Sequence, residues 1–271
     1  MESVETIIDF ENVHVNYGAN TVLKEVNLKI NHGENWVILG ANGSGKSTLM
    51  KLFSHDLYPN TKYPFKKEIF AKDRWDIFEL KKHLGIITND LHNRFASHAG
   101  EESAYEVVLS GYYSALGVFK HHEFSEEQCK KALDALEFLG ILHIKDKKVS
   151  HMSTGELRRS IIARALIHEP QAFILDEPTV GLDIKAQNSF IKVLQKLSEN
   201  NSVILITHSL EEIFPQITHV ALMYNQTVFK QGKKEEVLTS ENLSKIFDIE
   251  VNLQEECGRY YIKNINRAFN S

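Results

Sequence analysis

The sequence predicts an α/β fold with a parallel core sheet, an antiparallel β subdomain near its N-terminal end and an inserted α-helical subdomain. Three observations predict it. Trp36-Val37-Ile38-Leu39, Ala172-Phe173-Ile174-Leu175 and Val203-Ile204-Leu205-Ile206-Thr207 are short apolar runs of the length and β-branched content that strands buried on both faces require. Helical patterns alternate with them. All three run into glycine-rich or polar residues, and the carboxyl ends of parallel strands share one sheet edge.

Taken in order, residues 7 to about 30 read as β structure. Val13-His14-Val15-Asn16-Tyr17 and Val26-Asn27-Leu28-Lys29-Ile30 show the period of two of half-solvated antiparallel strands. The run at Trp36 follows, then the first turns of a helix at Ser47-Thr48-Leu49-Met50-Lys51-Leu52-Phe53. From about residue 101 to 168 the pattern is helical. Its clearest helix opens on the capping box Ser125-Glu126-Glu127-Gln128, closes at Gly140 and carries the stripe Cys129, Ala132, Leu133, Leu136 and Leu139. Residues 184–197 and 210–214 read as helical, and residues 219–224 as a strand. The chain then holds a hairpin-like piece at 227–232, a helical stretch over 235–247 and a short strand around Tyr260-Tyr261-Ile262.

Gly40-Ala41-Asn42-Gly43-Ser44-Gly45-Lys46-Ser47 has the spacing of a phosphate-binding P-loop. The glycines free backbone N–H groups to converge on phosphates, Lys46 reaches the β and γ oxygens, and the Ser47 hydroxyl holds Mg²⁺. A strand, a glycine loop and a helix N-terminus, here with Thr48 in its first turn, turn donors toward an anion. The expected core is therefore that of a P-loop NTPase, with ATP or GTP as the ligand.

Asp176 closes the run at Ala172 and is placed as a metal-holding carboxylate. Glu177 follows and points differently, so it suits a base that polarises the attacking water. The alternative is an acidic pair that merely caps a strand before Pro178. His208, after Thr207, is placed to sense a γ-phosphate; taken alone it is a loop histidine.

At 271 residues and 42% hydrophobic composition, the chain suits one large domain or a domain with a subdomain. A net charge of −5, with lysine pairs scattered, excludes a strongly basic nucleic-acid surface. The first residues, Met1-Glu2-Ser3-Val4-Glu5-Thr6, show no secretory pattern, and no apolar run approaches the ~20 residues of a membrane-spanning helix. The expected location is cytoplasmic, with any membrane role supplied through a partner. Cys129 and Cys257 read as reduced thiols. His92, His98, His121 and His122 read as surface histidines rather than metal ligands.

Together these residues resemble those of the ABC (ATP-binding cassette) ATPase family. The discriminating segment is Met152-Ser153-Thr154-Gly155-Glu156, which is similar to the family's signature and is also a helix-opening capping box. The resemblance covers nearly the whole chain. It implies one ATPase domain over residues 1–250, with a helical subdomain at about 90–165 and a C-terminal extension over 251–271. It implies Mg²⁺-dependent ATP hydrolysis in a head-to-tail homodimer holding two ATP, with Ser153 and Gly155 closing over the other subunit's nucleotide. Asp183 matches the loop that crosses that interface, and Tyr17 the aromatic position that stacks on adenine.

Lys46, Glu177 and His208 are the implied catalytic residues. Gly40, Asn42, Gly43, Ser44, Gly45, Ser47 and Thr48 complete the implied phosphate cradle. Ser47, Asp176 and Asn89 are the implied metal donors, with Asn89 or His92 standing where the family has a glutamine. Thr154 and Glu156 depart from the family's Leu-Ser-Gly-Gly-Gln and bear on turnover and closure. Gly111 to Phe119 and Glu235 to Thr239 are similar to the importers of iron-siderophore and vitamin B12. The implied function is the ATP-hydrolysing subunit of an importer on the inner face of the cell membrane. It would be coupled to separate transmembrane permease subunits through an exposed apolar groove within about 90–149. The alternatives are a soluble single-cassette ATPase with a regulatory role and a binding-only regulator.

Overall fold

A computed structural model describes residues 5–266. The residues read for a secretory signal fall largely on 1–4, and the end of the 251–271 segment on 267–271, outside the described residues. The first elements are β1 (Thr6–Tyr17), β2 (Asn20–Asn31), β3 (Trp36–Gly40), α1 (Lys46–Phe53), β4 (Lys66–Ile69), α2 (Ile77–His83), β5 (Leu84–Ile87) and α3 (Asn89–His98). Next come α4 (Ala104–Leu109), α5 (Glu126–Phe138), α6 (Thr154–Leu166), β6 (Ala172–Asp176), α7 (Ile184–Leu197) and β7 (Ser202–Thr207). The chain ends in β8 (His219–Tyr224), β9 (Thr227–Lys233), α8 (Lys234–Val237), α9 (Ser240–Phe247), β10 (Glu250–Glu256) and β11 (Arg259–Asn266). Their contacts form two units, one from residues 5–75 with 197–266 and the other from 76–196.

In the first unit β1 and β2 make a long antiparallel hairpin, closed at Tyr17 opposite Asn20, and β4 pairs with the other edge of β1. Val26, Leu28 and Ile30 are buried while Asn27 and Lys29 face solvent, the period of two expected from the sequence. A second sheet sets β3 between parallel neighbours: Leu39 lies opposite Thr207 of β7 and Leu222 of β8. Every residue of β3 and β7 is buried, which is why both read as unbroken apolar runs. The buried Asn35 joins the starts of these strands, accepting from Val203 N at 2.9 Å and donating to the Gln216 carbonyl at 3.2 Å. β9 returns antiparallel to β8 through Asn225 and Gln226, whose φ values of 47° and 68° suit a tight hairpin turn.

In the second unit β5 and β6 pair in parallel, with Gly85 opposite Phe173. A Cβ at Gly85 would come within 2.5 Å of that ring, so the aromatic fills the space a side chain would need. Four of this unit's helices start on hydroxyl caps: Thr88 for α3, and full capping boxes at Ser103, Ser125 and Ser153 for α4, α5 and α6. α6 buries Leu157, Ile161, Ile162 and Ala163. Arg164 adds bonds from Nε to Ser110 Oγ at 3.1 Å and from Nη2 to the Ala115 carbonyl at 3.1 Å.

Two expectations are corrected and a third is extended. Residues 210–214 form only a 3-10 turn, Leu210–Glu212, because the chain is already extended at Ile213, whose ψ is 110°. The stretch over 235–247 is two helices, α8 and α9; Thr239 is extended and its Oγ1 accepts from Asn242 N at 3.2 Å, starting α9 afresh. The strand around Tyr260 is one arm of a hairpin whose other arm, β10, is polar and acidic.

Candidate functional site

The P-loop leaves the sheet at Gly40, where the backbone has no room for a side chain: a Cβ would lie 2.7 Å from both the Met223 carbonyl and Ser44 Oγ. Gly43 and Gly45 adopt φ of +81° and +105°, and a Cβ at Gly45 would meet Leu23 at 2.6 Å. Gly45 is the N-cap of α1 and supplies no side-chain acceptor, and the helix has no acidic residue in its first turn. Its first N–H groups therefore favour an anion. Ser44 Oγ is buried with no hydrogen-bond partner among the described residues. Lys46 is buried, and its Nζ donates to the Gly40 carbonyl at 2.8 Å and the Ala41 carbonyl at 3.0 Å. This cradle, with an orphaned hydroxyl and an ammonium folded over loop carbonyls, fits a polyphosphate.

Ser47 and Asn42 are exposed beside it, and Thr48 is buried in the first turn. Tyr17, 45% exposed at the end of β1, lies with its ring centroid 6.0 Å from Nζ of Lys51 on α1. This puts an accessible aromatic face on the α1 side of the hairpin. His208 is exposed and follows Thr207, the register partner of Leu39, so it leaves the same sheet edge as the P-loop.

In the second unit β5 and β6 end side by side, Ile87 opposite Leu175, and lead into Asn89 and into Asp176-Glu177. Glu177 has a φ of 46°, a left-handed conformation that costs a non-glycine residue energy. Arg158 of α6, only 4% exposed, reaches both segments. Its Nη1 donates to the Glu177 carbonyl at 3.2 Å and to the Pro178 carbonyl, and its Nη2 donates to Asn89 Oδ1 at 3.0 Å. The amide oxygen expected to meet a metal thus faces a guanidinium. His92 Nε2 is buried without a hydrogen-bond partner among the described residues. Burial first, then the Arg158 charge, hold the His92 imidazole below its ordinary pKa.

Ser153 and Thr154 are exposed at the start of α6. Ser153 N donates to Glu156 Oε2 at 2.7 Å, and Glu156 N returns a bond to Ser153 Oγ at 3.3 Å. A Cβ at Gly155 would lie 3.7 Å from Leu182, so the signature glycine is next to the Asp183 loop. Asp183 Oδ1 accepts from Ala186 N at 2.8 Å and caps α7. Val180 and Ile184, flanking that loop, are 46% and 78% exposed. Sequence reasoning did not find Arg158 or Lys147, whose Nζ meets the Glu156 carboxylate; neither has a spacing signal, and both show themselves through acceptors on distant segments. Among the described residues no group of three or more His, Cys, Asp or Glu could hold a metal, and Cys129 and Cys257 are free thiols.

Residues 23–180 match the profile of the family described as ABC transporter. YlmA of Bacillus subtilis, named as an ABC transporter ATP-binding protein, is 30% identical over 251 residues, 91% of this chain and 93% of its own. The chain belongs to the ABC transporter family. Among solved cassettes, cbiO1 from Clostridium perfringens, described as part of the ABC transporter complex cbiONQ, shares 30% identity with a TM-score of 0.74 over 88% of this chain and 93% of its own. The dimeric cassette MJ0796, in a post-hydrolysis state bound to ADP and Pi, shares 25% identity with a TM-score of 0.67 over 84% of this chain and 98% of its own. The fold is the P-loop ATPase fold of these cassettes, and this chain is an ABC transporter ATP-binding subunit of a family that hydrolyses ATP.

Proposed function

We propose that this cassette powers a membrane importer by closing head to tail around two ATP. The observation that carries the reading is the P-loop cradle, in which Gly40, Gly43 and Gly45 make room for the nucleotide and Ser44 Oγ lacks a partner. In this reading the N–H groups from Gly43 to Thr48 bind the phosphates, and Lys46 exchanges the Gly40 and Ala41 carbonyls for β and γ oxygens. Tyr17 stacks on adenine. Glu177 polarises the attacking water and His208 donates to the γ-phosphate. When bound, Mg²⁺ supplies charge neutralisation at the β and γ oxygens, with Ser47 and Asp176 as its oxygen donors. Asn89 would join them through its amide oxygen, which also accepts from Arg158 Nη2.

Ser153 and Gly155 close over the nucleotide of a second copy, and Asp183 crosses between copies. The dimeric, ADP- and phosphate-bound relative supports this reading, as do the exposed Val180 and Ile184. The ATPase domain spans 1–250, with helical residues 90–165 inside it and 251–271 as an extension. Among the described residues no helix is long and apolar enough to cross a membrane. Separate permease subunits on the inner face of the membrane supply that part, meeting Tyr113 and Phe119, which are 44% and 54% exposed. The importer assignment rests on the similarity of residues 111–119 and 235–239 to siderophore and B12 importers.

The test is ATP turnover and sedimentation of the native chain and of Glu177→Gln, with and without MgATP. Turnover in the native chain, a loss of about a hundred-fold or more in the variant, and an ATP-stabilised dimer support the reading. An unchanged rate in Glu177→Gln removes Glu177 as the base. Co-purification with a polytopic membrane protein separates transport from a soluble regulatory role.

A further inference from the structure

Glu156 puts a carboxylate where the family's signature has an amide. A negative charge in the first turn stabilises the helix, but it opposes an anion approaching the same N-terminus. Lys147 offsets that charge. Its Nζ donates to both carboxylate oxygens of Glu156, at 3.0 and 2.8 Å, and the two side chains are 34% and 25% exposed. The Lys147 backbone is fixed as well: its N–H donates to the Ile144 carbonyl at 2.8 Å and its carbonyl accepts from Ala104 N at 3.0 Å. Burial alone would raise the Glu156 carboxyl, yet the bonds from Lys147 and Ser153 hold it below its ordinary pKa, so it is ionised at neutral pH. Arg159 also feels Glu156, but its Nη2 is bonded to Ser189 Oγ at 2.6 Å.

We infer that Lys147 is a positioning residue for nucleotide-driven closure: it cancels the Glu156 charge and fixes that carboxylate, so that the N-terminus of α6 accepts the triphosphate held by a second copy. The inference rests on the head-to-tail reading above. It makes Lys147 and Glu156 a matched pair, in which the charge at one position decides what the other must be.

The experiment is ATP-dependent dimerisation of the full-length chain, by sedimentation in MgATP, in a Glu177→Gln background. It compares Lys147→Gln, Lys147→Arg, Glu156→Gln and the double variant Lys147→Gln/Glu156→Gln. Lys147→Gln is expected to weaken the dimer by about ten-fold, because an uncompensated carboxylate then faces phosphate. Lys147→Arg is expected to keep the native affinity, and the double variant to regain it. Binding of a fluorescent ATP analogue to the monomer stays unchanged, since the P-loop is untouched. An equal loss in Lys147→Gln and in the double variant would show that Lys147 only supports the local fold, and overturns the inference. A dimer indifferent to Lys147→Gln overturns it too, while leaving the head-to-tail reading intact. No MgATP-dependent dimer in any form, native included, overturns both.

Discussion

Arg158 and Asn89 are joined by a 3.0 Å hydrogen bond from Nη2 to Oδ1, and the other arm of the same guanidinium holds the Glu177 and Pro178 carbonyls. One buried cation thus ties the first residue of α3 and the helix that opens on the signature to the turn after β6. That turn needs holding, because Glu177 sits at a φ of 46° and only its surroundings keep it there. Displacement of α6 would act directly on the backbone that carries the proposed base.

Replacing Arg158 by Lys leaves a charge but removes the planar fork, and one ammonium cannot serve the same acceptors in the same geometry. Turnover number is expected to fall by about ten- to a hundred-fold, with KM for ATP moving less than about three-fold, since the defect lies in orientation rather than in holding nucleotide. Steady-state ATP hydrolysis separates the two constants. A raised KM at unchanged turnover number would contradict the positioning account.

Gly45→Ala is expected to abolish ATP binding and to destabilise the fold by about 1–3 kcal/mol. The residue combines a φ of +105° with a 2.6 Å approach to Leu23, so strain and collision act together. Gly43 has a similar φ, +81°, but open space around its Cβ position, and its alanine variant is expected to lose less stability. Denaturant titrations of the two variants against the native chain check the order. Equal losses would mean that the contact with Leu23 is relieved at no cost.

The parts legible in the sequence share a physical cause. β3, β6 and β7 are buried on every face or nearly so, and a strand with no solvated side has to be spelled in apolar residues. The starts of α5 and α6 were legible because Ser125 and Ser153 must accept from N–H groups that a helix leaves unpaired. β4 escaped because Lys66-Lys67-Glu68-Ile69 is a polar edge strand, one of whose lysines nevertheless points inward. β5 has four residues, too few to show a period. Arg158 lay in plain view, but an arginine inside a helix says nothing of its acceptors until the fold brings Asn89 and Glu177 to it.

Stability is expected to fall with acid through His55. The imidazole is buried, its Nε2 has no hydrogen-bond partner among the described residues, and Lys67 repels its proton; burial first, then Lys67, move it from 6.5 to about 4. The folded state therefore binds the proton more weakly than the unfolded chain does. Between these two values unfolding takes up a proton, so this contribution is complete above the upper value and is lost progressively toward the lower one, to a limit of roughly 3 kcal/mol. Urea titrations at several pH values check it, with His55→Gln expected to flatten the acid limb. A variant whose acid limb parallels the native one would rule His55 out as the source.

Lys67→Met is expected to stabilise the first unit by about 1–2 kcal/mol at neutral pH. Lys67 is 4% exposed, its Nζ lacks a hydrogen-bond partner among the described residues, and the Tyr58 ring centroid 5.3 Å away is a partial substitute for water. Burial pushes the ammonium down to about 8 from 10.5. The cost of charging it is thus present below the lower value and fades as pH rises toward the upper one, so the advantage of methionine is expected to shrink over that alkaline range. Removing the charge also lifts a repulsion from His55, whose pKa is expected to move back toward its ordinary value. Thermal unfolding at neutral and alkaline pH, with a proton NMR titration of His55 in both forms, reads the two effects separately. A destabilised Lys67→Met with an unmoved His55 would mean that the ammonium has a structural role that outweighs the cost of its burial.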